Sequence, residues 1–235
     1  MTAVAEGTAA TTSGDVALER ATKWANDYAA RLTERAEHRL AELAGHANGN
    51  GVRPRIGEPT TGDPTTGFYV GFDVVATSPI QFGGPPPYQP GKVIAAGEQA
   101  FLIAFIFVNP TVNIPLGWAV PATVQLGGRT WRMTLDQGNL TTGGVLPQQV
   151  QTATFTSPAA TITPVIFSLA TPNPGPDPAL IEANVTVDIV DPAQPYAAFA
   201  TNFLDVDNDP GFLGVPATAA GFRHELPNRY LIYSE

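Results

Sequence analysis

Ile181-Glu182-Ala183-Asn184-Val185-Thr186-Val187-Asp188-Ile189 alternates apolar and polar residues without a break. A period of two sends successive side chains to opposite faces of a strand, so one face is offered to a core and the other to water. Working outward, the same reading applies to Phe68–Val75, Val150–Thr156, Thr161–Ala170, Tyr196–Leu204 and Arg229–Tyr233. Phe101 to Val108 is a continuous apolar run ended by Asn109-Pro110, as expected of a central strand covered on both faces. Ala122–Leu126 and Thr130–Leu135 flank Gly127-Gly128, which reads as a two-residue hairpin. Short strands separated by Pro- and Gly-rich turns predict an all-β sandwich, immunoglobulin-like or jelly-roll, over residues 68–235.

A different period governs the N-terminal part. Residues 1–14 are small and polar and are expected to be disordered. From Asp15, a good N-cap residue, apolar side chains fall at Ala17, Ala21, Trp24, Tyr28, Leu32, Ala36, Leu40 and Leu43, with charged residues on the other faces. The mean step of about 3.7 residues predicts one long amphipathic helix over 15–46, with a single stripe and no coiled-coil supercoil. Two destinations suit that stripe: the chain's own sandwich or another subunit. Its length tilts the reading toward a partner, with Trp24, Tyr28, Leu32, Leu40 and Leu43 as the interaction residues. Residues 47–67, rich in Gly, Pro and Thr, read as a linker that lets helix and sandwich pack independently.

Composition narrows the function. Only 14% of residues are charged and the net charge is −9. Residues 68–235 hold five Lys/Arg against twelve Asp/Glu, too few cations to follow a phosphate backbone, so nucleic acid is not an expected partner. A surface so poor in charge favours burial against other chains. With no Cys, disulfides and thiolate metal sites are excluded. The start of the chain has no basic, then apolar, leader pattern. The longest apolar run falls far short of the ~20 residues that span a bilayer. The expected setting is soluble, cytoplasmic or within an assembled particle.

Motifs for chemistry are sparse. His224 is the one histidine of the sandwich region, and no serine there sits in a Gly-x-Ser-x-Gly turn. Asp136, Asp188 and Glu98 give no sequence sign of a paired-carboxylate site. Asp205, Asp207 and Asp209 alternate on an acidic loop, and alternate carboxylates can converge on Ca²⁺. The spacing matches the first half of an EF-hand loop, but Pro210 and Pro216 stand where that loop needs Gly and Glu. The plainer reading is a solvated turn. Pro85-Pro86-Pro87-Tyr88 fits the Pro-Pro-x-Tyr pattern recognised by aromatic grooves, although a rigid loop explains it equally well. Trp118, Trp131 and Tyr88 are candidates for a sugar-stacking platform, Trp131 being better placed for the core. No cofactor fingerprint is present. The sequence thus favours a non-enzymatic structural protein whose sandwich and helix mediate homo-oligomerisation or docking. The alternative is a ligand-binding sandwich, Ca²⁺-dependent and carbohydrate-directed.

Overall fold

The computed structural model describes residues 13–46, 72–110, 120–190, 197–203 and 227–234, with the side chains of 35–46, 73, 197–199 and 201–203 left aside. It is rich in β-structure and carries one long N-terminal helix. The helix, α1, spans Ser13–His46 and starts two residues before Asp15, which therefore lies in its first turn. There a carboxylate opposes the positive end of the helix dipole. Ser13 and Gly14, part of the stretch 1–14 expected to be disordered, belong to the helix, while the rest of that stretch, the linker at 47–67 and the strand reading of 68–71 lie outside the described residues.

The first sheet is built around β4 (Ala100–Val108), whose nine residues are all buried. β1 (Phe72–Thr77) and the short β2 (Ile80–Gln81) run antiparallel to one side of it. β8 (Ile162–Leu169) lies antiparallel on the other, and β11 (Thr201–Phe203) pairs parallel with β1. Ala76 stands opposite Ala104, but Ile80 stands opposite Phe101. Three residues, Thr77-Ser78-Pro79, therefore face two, which is a bulge. The Thr77 hydroxyl accepts the N–H of Ile103 at 3.2 Å, taking over a ladder bond that the bulge removes. Pro79 has no N–H to lose and fits this break.

The second sheet centres on β9 (Ala179–Ile189), the alternating stretch of the sequence. Its inward residues, from Ala179 to Ile189, are buried in strict alternation. β5 (Thr130–Asn139) pairs along one side of β9, with β7 (Gln149–Thr154) and β6 (Gly144–Val145) beyond it. β12 (Asn228–Tyr233) and β10 (Ala197–Phe199) share the other side, and β3 (Val93–Ala95) pairs parallel with β12. The predicted strand Tyr196–Leu204 is thus two pieces. The chain leaves the second sheet at Ala200 and joins the first as β11.

The sheets face each other across one core. Leu102, Ile106 and Phe167 of the first meet Met133, Leu135, Ile181 and Tyr230 of the second in a single buried cluster. Two flanks are closed by glutamine amides. Gln81 donates to Ala95 O and accepts from Ala95 N, both at 2.9 Å, as a neighbouring strand would. On the opposite flank, Gln149 donates to Ser168 O at 2.7 Å and Gln151 to Ile166 O, so β7 of one sheet satisfies main-chain carbonyls of β8 in the other.

The hairpin reading of Gly127-Gly128 is corrected: Ala122–Leu126 is a short helix, α2. Five residues cannot separate a period of two from one of 3.6. Pro121 supplies the helical start, and its carbonyl accepts from Val124 N and Gln125 N. Ala122, Thr123 and Leu126 face the core. Gly127 is required where the chain passes Ser157 and Pro158, since a Cβ there would lie 3.3 Å from their Cα atoms.

Candidate functional site

The stripe of α1 lies on the outer face of the first sheet. Ala17, Ala21, Ala25, Tyr28, Ala29 and Leu32 are buried against Val75, Phe101, Ile103, Phe105, Phe107 and Ile162. Trp24, Tyr28 and Leu32, expected from sequence to face a partner, here pack against the chain's own sheet. Their physical reason is β4, whose odd-numbered residues present an apolar face that would otherwise meet water. Four alanines bring the helix close, and burying Tyr28 and Leu32 contributes roughly 1.5–3 kcal/mol each. Trp24 stacks on Tyr28 with ring centroids 4.8 Å apart, and Tyr28 rests 5.6 Å from Phe105. Arg20 donates to Phe82 O at 2.8 Å, fixing the helix lengthwise. Lys23 pairs with Asp27 at 2.7 Å, though both are exposed and the pair adds little. The side chains of Leu40 and Leu43 lie outside the described residues.

The other sequence candidates are dispersed. Asp205, Asp207 and Asp209 lie outside the described residues, as do Trp118 and His224. No group of three or more His, Asp or Glu able to hold a metal occurs among the described residues. Tyr88 is half-buried with its ring 4.7 Å from Phe82, so the tyrosine of the Pro-Pro-x-Tyr stretch is engaged internally. Trp131 is in the core. Asp188 receives two hydrogen bonds from Arg132, and Asp136 receives one from Gln148. Asp188 is opposite Arg132, which lies four residues from Asp136 along β5. At about 3.4 Å per residue that is roughly 14 Å, wider than either glycosidase spacing.

Two features escape a sequence reading. The first is a row on the solvent face of the second sheet. Val93 pairs with Leu231, Leu231 with Leu180, and Leu140 N donates to Leu180 O. Val93, Leu231 and Leu180 thus come from three successive strands, and Leu140, in the turn after β5, continues the row, with Val93 58% and Leu140 49% exposed. The ion pair Arg229–Glu182, at 2.9 Å, borders the row. The second is a polar group within the core. Gln137 donates to the Tyr230 hydroxyl at 2.6 Å, and Asn228 donates to Thr77 O at 2.8 Å, joining the two sheets at the bulge. Burial pushes the Tyr230 phenol well above its ordinary value, partly offset by the Gln137 hydrogen bond. Gln137 sits in the inward phase of Trp131, Met133 and Leu135, and Asn228 in that of Tyr230 and Ile232. That phase is the one signal by which sequence could have found them.

No family model matches the chain, and no curated protein matches it. Among solved structures it is similar to the CARDB domain of the PF1109 protein from Pyrococcus furiosus, which was solved in complex with di-metal ions. The likeness covers 57% of this chain and 90% of that one, at 11% identity and a TM-score of 0.25. The fold described above rests on its own strand pairing. Among the described residues, no helix is long and apolar enough to cross a membrane.

Proposed function

We propose that the protein is a non-enzymatic assembly subunit, its facing sheets forming a sandwich of the jelly-roll or immunoglobulin-like kind, that associates with further copies of itself through the outer face of the second sheet. The observation that carries this reading is the row Val93–Leu231–Leu180–Leu140. Single exposed apolar residues are ordinary on any protein. A line across three adjoining strands and the turn after β5, rimmed by a charged pair, has the anatomy of an interface core. The low charge of the chain supports the same reading. In this proposal α1 closes the first sheet and leaves the second as the contact face.

Light scattering coupled to size exclusion, over a hundredfold range of concentration, tests it. A dimer or larger species is expected for the full chain, with a shift to monomer in Leu231→Glu and an unchanged far-ultraviolet spectrum. A monomer at every concentration would sink the proposal.

A further inference from the structure

We infer that Gln137, Asn228 and Tyr230 hold one internal water molecule above the methyl group of Ala183, between the two sheets. Ala183 pairs with Gln137 on one side and Asn228 on the other, so the three stand in one row on the inward face. Tyr230, opposite Ile181, is the next inward residue of β12. Gln137 and Asn228 are only 3% and 4% exposed. Each spends its amide N–H on a bond already described. Among the described residues, Gln137 Oε1 and Asn228 Oδ1 meet no donor.

Two buried acceptors without donors among the described residues, on the strands either side of an alanine, define the chemistry of the occupant. Buried polar groups in folded proteins are almost always satisfied, and an unsatisfied one is costly. The occupant must donate twice, to Gln137 Oε1 and Asn228 Oδ1. It must also be small enough to stand over a methyl group. The Tyr230 hydroxyl accepts from Gln137 and has its own proton to give, so the occupant should accept once. Water meets all three requirements and makes the usual three bonds of an internal water. A metal cation would also suit carbonyl oxygens. No carboxylate belongs to this group, however, and an uncompensated charge in an apolar core is far more costly than a neutral molecule. Ala183 is the residue that makes room: a larger side chain there would occupy the position directly.

A high-resolution crystal structure of the full chain tests the inference. A water peak is expected at about 2.7–3.0 Å from both oxygens. Absence of the peak, or a protein donor on either oxygen, would overturn it. Two variants give a second reading in solution. Ala183→Ser sets a hydroxyl into the water position and can donate to only one of the two oxygens, so it should lower Tm less than Ala183→Val, which fills the space without a donor and should lower Tm by roughly 4 °C or more. Equal losses in the two variants would count against the water. Neither experiment depends on the association state, so its failure is distinct from failure of the assembly proposal.

Discussion

Tyr230 shows what a single hydroxyl is worth inside this molecule. Its phenol is buried between the sheets and takes a hydrogen bond from Gln137. Replacing it by phenylalanine keeps the ring but strands the Gln137 amide N–H, so Tyr230→Phe should cost about 1–3 kcal/mol in urea unfolding at neutral pH. The raised phenol also links stability to pH. The unfolded chain releases this proton near 10.0, while the folded chain keeps it to higher pH. The contribution is therefore complete below pH 10 and drains away above it. Stability should fall more steeply above about pH 10 in the native sequence than in Tyr230→Phe; parallel curves would show that Tyr230 does not titrate in this way. Alternation alone could not reveal this residue's role. It marks position 230 as inward, but the partner, Gln137, lies 93 residues away in sequence.

At the scale of elements, α1 is where sequence and structure diverge most usefully. The period of its stripe is legible, and so is the apolar nature of β4. What periodicity cannot state is that each supplies the cover the other needs, because a stripe carries no address. Ala25 and Ala29 are likewise illegible as contacts, since alanine is a good helix former on any face. Their value lies in close approach. Ala21→Leu should therefore overpack the helix against the sheet and cost about 1–3 kcal/mol, measured by chemical denaturation. A neutral result would mean that the helix can lift away freely. The failed hairpin at Gly127-Gly128 has a different cause: α2 is set by Pro121 and by packing of the 157–159 segment, neither of which registers in a five-residue pattern.

For the whole molecule, β4 is the shared wall. Its even-numbered residues enter the core between the sheets, and its odd-numbered ones enter the cluster under α1. Phe105→Ala should cost about 3–5 kcal/mol and Ile106→Ala about 2–5 kcal/mol. Because both layers rest on one strand, helix and sheet signals should be lost together in thermal unfolding of either variant. Separate transitions for circular dichroism and Trp24 fluorescence would show that the layers are independent. The two-layer arrangement was foreseeable from the runs of alternating residues; the switch of sheets at Ala200 was not, since nothing in a strand's own period tells which neighbour it will take. The glutamine-closed flanks have a consequence of another kind. Along β8, Pro164 offers no N–H, and the carbonyls of Ile166 and Ser168 are already occupied. At β3 the Gln81 amide occupies both main-chain groups of Ala95. An incoming foreign strand finds no template at these sites, so fibre growth by strand addition is obstructed there.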